Sequence, residues 1–245
     1  TKAKREWLEI AARYLAPTNA ATPTDGQVLG ALMRVGRPDD IVVCAAGGLP
    51  GDLQKLWQAR APLGYHMEYG YSCMGYEIAG GLGVKLAHPD REVIVVVGDG
   101  SYLMMNSEIA TSVMLGLKLI IVVTDNRGFA CINRLQRATG GESFNNLLRD
   151  ARHEVLPEVD FVAHASSLGA HAVKAASIAE LESALEAARA ARSTRVIVLD
   201  TDPINTTDAG GAWWNVAVPA TSTRPEVVKA RSQYEEALAS QRLGD

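Results

Sequence analysis

A chain of 245 residues, 47% apolar and 21% charged, can bury a full core as one large α/β domain with irregular extensions at its ends. The net charge of -4 and a pI near 5.8 leave no overall basic field, and Lys and Arg are scattered, so neither nucleic acid nor a membrane surface is an expected partner. Cys44, Cys73 and Cys131 form no CxxC pair or metal-ligand spacing, which argues against a disulfide framework and makes a reducing cytoplasm the predicted setting.

The first residues, 1–23, read as a polar, helical-looking extension or linker. Because the chain starts at Thr1 without a methionine, it is expected to be part of a longer polypeptide. These residues do not read as a signal peptide. From Asp25 onward, short β-branched runs at 41–43, 93–97, 119–123, 172–173 and 196–199 each read as a buried parallel strand. Helix starts stand between them. Thr24-Asp25-Gly26-Gln27 and Ser177-Ile178-Ala179-Glu180 both fit a capping box, and Thr223-Arg224-Pro225-Glu226 would open a C-terminal helix running toward Tyr234 and Leu238. The most apolar stretch, 113–123, is broken by Gly116 and Lys118, short of the roughly 18 to 20 apolar residues that a membrane span needs.

This alternation predicts a doubly wound parallel sheet with helices on both faces, over 24–202. Ligands of such folds bind beyond the carboxyl ends of the strands. Residues 203–245 read as a C-terminal extension, an irregular connection packed by Trp213-Trp214 and then the terminal helix.

The sharpest chemical signal follows the run 93–97, where Gly98-Asp99-Gly100-Ser101 sets a carboxylate between two glycines. After 24 residues, 101–124, enough for a helix and a strand, comes Asp125-Asn126-Arg127-Gly128. Two neighbouring strands would then present an acid and an amide at one edge. Asp99, the Asn126 side-chain oxygen and a backbone carbonyl just beyond, that of Gly128, suit Mg2+, whose other ligands a diphosphate supplies. Glycines beside the acid let the backbone approach phosphates, and amides near Asn106 at a helix start could donate to them. Alone, Gly98-Asp99-Gly100 is equally well a tight turn. The second cluster at the matching strand end decides against that.

The spacing resembles the GDG motif followed about 25 residues later by Asn that marks the thiamine diphosphate enzymes. The resemblance implies that the pattern binds Mg2+ and the cofactor diphosphate. Met74, 25 residues before Asp99, matches the position where acetolactate synthase-like members carry a bulky apolar side chain that wedges between the two cofactor rings. Read without the family, it is a core methionine. The loop Ala46-Gly47-Gly48-Leu49-Pro50-Gly51 is similar in position to a phosphate-contacting loop, giving Gly48 and Leu49 as cofactor residues. On the same footing, Ser72 and Cys73 would lie by the pyrimidine, and Gly98, Gly100, Ser101 and Cys131 by the diphosphate.

Within the family, the string from Tyr65 to Ala79, with Asp125-Asn126-Arg127-Gly128-Phe129-Ala130-Cys131-Ile132-Asn133 and Trp213-Trp214-Asn215-Val216, resembles a branch acting in inositol breakdown. That resemblance implies hydrolytic opening of a trihydroxylated cyclohexane-1,2-dione to 5-deoxyglucuronate. His66 and Glu68 are candidate substrate-side groups, although each reads as well as a structural hydrogen-bond partner. No residue is assigned as catalytic with certainty. The family also takes its activating glutamate from a separate pyrimidine-binding domain, in the same or another chain, usually within a homo-oligomer. Nothing here matches that domain, so the chain alone is expected to be inactive. Rival readings are an acetolactate synthase-like or other thiamine diphosphate lyase, and a noncatalytic cofactor-binding module. A nucleotide-binding dehydrogenase is disfavoured, since neither GxGxxG nor GxxxxGK[ST] occurs.

Overall fold

All five predicted runs form strands, and a sixth joins them. In chain order they are β1 (Ile41–Cys44), β2 (Tyr65–Met67), β3 (Val93–Gly98), β4 (Ile120–Asp125), β5 (His171–Ala175) and β6 (Arg195–Asp200) in the computed structural model, which describes residues 1–156, 158–207 and 216–241. They pair in parallel as one sheet of order β2-β1-β3-β4-β6-β5. The strand β2 escapes sequence reading because it is three residues long, carries no β-branched side chain and lies half-buried at the sheet edge. Trp213-Trp214, expected to pack by their aromatics, lie outside the described residues.

Ten α-helices are described: α1 (Lys2–Leu15), α2 (Asp25–Val35), α3 (Gly48–Leu56), α4 (Tyr76–Ala87), α5 (Asp99–Met104), α6 (Glu108–Met114), α7 (Ala130–Ala138), α8 (Phe161–Ser167), α9 (Ile178–Ala190) and α10 (Pro225–Ala239). Strand residues alternate between two cores, as a pleated sheet requires. Ile94, Val96, Ile120 and Val122 pack with Leu29 of α2, Leu53 of α3 and Leu181 of α9. Val93, Val95, Val97 and Ile121 pack on the opposite face with Ile78 of α4, Tyr102 of α5, Ile109 of α6 and Phe161 of α8. The helix α1 lies on the first core through Ala11, with Trp7 and Tyr14 beside it. Among the described residues no helix is long and apolar enough to cross a membrane.

Helix starts follow the expected chemistry at one site and depart from it at two. Thr24 forms the full capping box, its Oγ1 accepting from the Gln27 amide while Gln27 Oε1 accepts from the Thr24 amide. At α9, Ser177 accepts from the Glu180 amide, but Glu180 reaches back to the Ala176 amide rather than to Ser177. The predicted cap at Thr223 is displaced. Pro225 takes the first helical position, where its missing N–H costs nothing, so Arg224 stands at the cap and pairs with Glu226 at 3.1 Å.

The sheet order sets the site. The chain runs outward from β1 to β2, then resumes on the other side of β1 with β3 and β4. The loops after β1 and β3 therefore leave in opposite directions and open a crevice at the carboxyl edge, the topological switch point of such a sheet.

Candidate cofactor site

Loops from the carboxyl ends of β1, β3 and β4, with α7 and the segment after β2, wall a cavity of about 520 Å³ in that crevice. It is lined by Gly48 and Leu49 after β1, by Ser72 and Met74 before α4, by Gly98, Asp99, Gly100 and Ser101 after β3, and by Asn126, Gly128 and Cys131 after β4. These predicted residues, scattered over 84 positions from 48 to 131, thus share one wall. His66, Glu68 and Cys73 do not line it.

The register explains how Asp99 and Asn126 come to line one cavity. Gly98 pairs with Thr124 across β3 and β4, so both strands release the chain at the same level. Beyond β4, Asp125 Oδ1 accepts from the Arg127 amide at 3.0 Å, turning the backbone back on itself. Arg127 has φ 62 and Gly128 φ 140. A Cβ on residue 128 would fall 2.5 Å from the Asn146 carbonyl oxygen, so only glycine completes this turn. The turn aims the Gly128 amide at Asp99, whose Oδ2 accepts it at 2.8 Å.

The electrostatics of this corner call for a cation. Burial pushes the Asp99 carboxyl up to about 7, with the nearby Asp125 adding to the rise and the Gly128 amide opposing it. The Asn126 Oδ1 atom is buried with no hydrogen-bond partner. Among the described residues the Asp99 carboxylate has no ion-pair partner, and with the orphaned amide oxygen lining the same cavity it makes a pair of hard oxygen donors that a hard divalent ion fits. Among the described residues no group of three His, Cys, Asp or Glu could hold a metal. Such an ion would therefore draw its other ligands from phosphate, water or backbone.

Two expectations shift in detail. The helix after β3 starts at Asp99 itself, with Gly98 as its cap, while Asn106 lies between α5 and α6 and donates to the Tyr102 carbonyl at 3.0 Å. Amides near Asn106 are accordingly not those that face the cavity. The crossover from β3 to β4, expected as one helix, is two short ones, α5 and α6.

Other polar groups of the string 65–79 bond within it. Glu68 accepts from the Tyr71 and Cys73 amides at 3.1 and 2.8 Å, bonds that lower its pKa. His66 Nε2 lies 2.6 Å from the Tyr76 hydroxyl, with the two rings stacked. Burial pushes the Cys131 thiol up, which leaves it protonated and weakly nucleophilic.

Sequence reading missed four residues of consequence. Glu77 is fully buried and joins two loops of the site, its Oε1 accepting from the Ala46 amide at 3.1 Å and its Oε2 from the Gly75 amide at 3.0 Å. Asp25, noticed only inside a capping box, lines the cavity with its Oδ1 unpartnered. Burial, then Asp52, pushes its carboxyl up to about 7. Phe129 and Arg134 also line the cavity. A usable signal existed for Phe129, which directly follows Gly128, whereas Arg134 reads as an ordinary helical surface residue.

Residues 29–200 match the family described as thiamine pyrophosphate enzyme, C-terminal TPP binding domain, and the chain belongs to that family. The match takes in every predicted cofactor and metal residue. Among curated proteins, the chain is 46% identical over 203 residues to 3D-(3,5/4)-trihydroxycyclohexane-1,2-dione hydrolase of Bacillus licheniformis, covering 83% of this chain and 32% of that protein. The enzyme of the same name from Listeria innocua is 44% identical over 207 residues, covering 84% of this chain and 32% of that protein. The chain therefore spans about a third of the length of these relatives. Among solved structures, the thiamine diphosphate-dependent 4-hydroxybenzoylformate decarboxylase of Rhodococcus jostii RHA1 superposes with a TM-score of 0.68 at 19% identity, covering 78% of this chain and 35% of that one. That likeness concerns the fold.

Proposed function

We propose that this chain is the diphosphate-holding part of a thiamine diphosphate- and Mg2+-dependent hydrolase that opens 3D-trihydroxycyclohexane-1,2-dione to 5-deoxyglucuronate in myo-inositol breakdown. Residues 24–202 form the binding domain, 1–23 an extension or linker, and 203–245 a tail whose helix packs on it. The observation that carries the cofactor reading is the unpartnered Asn126 Oδ1 beside the buried Asp99 carboxylate, at the switch point of the sheet. The substrate reading rests on the relatives of that name, at 44–46% identity.

In this reading Asp99, Asn126 and the Gly128 carbonyl hold Mg2+. Gly48, Leu49, Gly98, Gly100, Ser101 and Cys131 surround the diphosphate, and Ser72 and Cys73 stand near the pyrimidine. Met74, on the cavity wall and near Gly100, keeps the two rings of the cofactor bent toward each other. When bound, thiamine diphosphate supplies an electron sink for breaking the bond between two carbonyl carbons. His66 and Glu68 shape the loop beside the substrate. The activating glutamate comes from a pyrimidine-binding domain, in the same or another chain of a homo-oligomer, so residues 1–245 alone turn nothing over. The three unpaired cysteines support a cytoplasmic setting.

The test is turnover by the intact protein, supplied with thiamine diphosphate and Mg2+, of the inositol-derived dione against pyruvate. Ring opening with no acetolactate formed is expected. Acetolactate from pyruvate, with the dione untouched, would move the protein to the synthases. Cofactor binding with neither activity, even beside a glutamate-bearing partner, would make it a noncatalytic module.

A further inference from the structure

The metal and backbone contacts leave one charged group of the cavity unused. Arg134 stands on α7, three residues beyond Cys131, and among the described residues is the only cationic side chain lining the cavity, against two carboxylates, Asp25 and Asp99. Among the described residues its guanidinium makes one hydrogen bond, from Nη1 to the Pro203 carbonyl at 3.1 Å. Its Nη2 rests against the bare Cα of Gly48, where a Cβ would fall 2.1 Å away. The guanidinium thus enters the loop after β1 because residue 48 has no side chain. Asp25 and Asp202 feel its charge, yet no hydrogen bond joins Arg134 to either among the described residues. Among the described residues, most of the fork of donors on Arg134 is therefore without a partner.

We infer that Arg134 is a diphosphate-binding residue, a cation separate from the metal that is delivered through the gap left by Gly48. The inference rests on the cavity being the thiamine diphosphate site. Charge balance supports it. A diphosphate ester carries roughly three negative charges near neutral pH and a divalent ion cancels two, leaving about one in addition to the charge of Asp99. Arg134 is the group of the cavity wall that can offset the remainder. A planar guanidinium also matches two phosphate oxygens at once, which an ammonium does not.

The experiment is equilibrium binding to the intact protein at fixed Mg2+, by calorimetry, with thiamine diphosphate, inorganic pyrophosphate and thiamine as separate ligands. Arg134→Met should weaken thiamine diphosphate and pyrophosphate alike by about 30-fold, a range expected for a lost charged hydrogen bond, and leave thiamine unchanged. Arg134→Lys should recover only part of the loss. A second variant tests the route: Gly48→Ala pushes the guanidinium aside, so it should weaken pyrophosphate in the wild type and do so far less in the Arg134→Met background. Wild-type affinity of Arg134→Met for both phosphate ligands overturns the inference and leaves the cofactor site standing, as does a Gly48→Ala effect of equal size in both backgrounds. A wild-type protein that binds no thiamine diphosphate with Mg2+ overturns the cofactor reading, and this inference with it.

Discussion

The carboxylate of Asp99 accepts a hydrogen bond from the Gly128 amide at 2.8 Å, tying the end of β3 to the turn after β4. One oxygen thereby organises backbone, and the group as a whole keeps the charge that a divalent ion needs. Asp99→Asn separates these tasks, because an amide oxygen still accepts from Gly128 but supplies no charge. Mg2+-dependent affinity for thiamine diphosphate should fall about 100-fold or more, with the fold intact by circular dichroism. Unchanged affinity in a titration with Mg2+ present would remove Asp99 from the site.

Met74 lines the cavity while 38% exposed, with its terminal methyl 3.3 Å from the position of a Cβ on Gly100. A side chain so placed contributes little to the core, so truncating it should cost little stability. If it bends the cofactor, Met74→Ala lowers kcat about tenfold or more and changes the cofactor Kd by less than about threefold. Loss of affinity with kcat preserved would make Met74 a plain binding contact.

What was legible in the sequence follows the physics of each signal. β1, β3, β4 and β6 could be read because they are buried on both faces and so are rich in valine, isoleucine and leucine, and the placing of Asp99 and Asn126 at one sheet edge followed from two such strands being neighbours. The edge strand β2 could not, since half-exposed Tyr65, His66 and Met67 show no such composition. Nor could Glu77 or Arg134. Their roles depend on what other loops bring to them, two amides in one case and a bare glycine Cα in the other, and no local spacing encodes such a meeting.

Glu77 gives a test of that hidden arrangement. Its two carboxylate oxygens serve two backbone amides, of Ala46 and Gly75, in a place sealed from water. Gln has the same shape but one acceptor, so Glu77→Gln must set an NH2 against an N–H. Although burial raises the Glu77 pKa and the amide removes that burden, the lost acceptor should dominate, destabilising the protein by about 2 kcal/mol. Urea unfolding of the variant measures it, and a midpoint equal to wild type would mean that water replaces the missing acceptor.

Asp25 predicts a pH dependence of opposite origin. Its carboxyl titrates near 7 when folded, against an ordinary value of 3.8, because burial comes first and Asp52, Asp202 and Asp99 add repulsion that Arg134 only partly offsets. With the folded pKa raised, the unfolded chain gives up this proton first. Stability from this group is full below about pH 4, declines as pH rises toward 7, and is flat above. Asp25→Asn removes the charge and keeps the size, so its stability advantage over wild type should grow between pH 5 and pH 8 by about 2 kcal/mol or somewhat more. Asp99 titrates in both proteins, and its repulsion is the smallest of those named for Asp25, so most of the difference between the two curves belongs to Asp25. Urea midpoints taken at each pH decide the matter: curves that stay parallel for the two proteins would show that Asp25 ionises freely in the folded state.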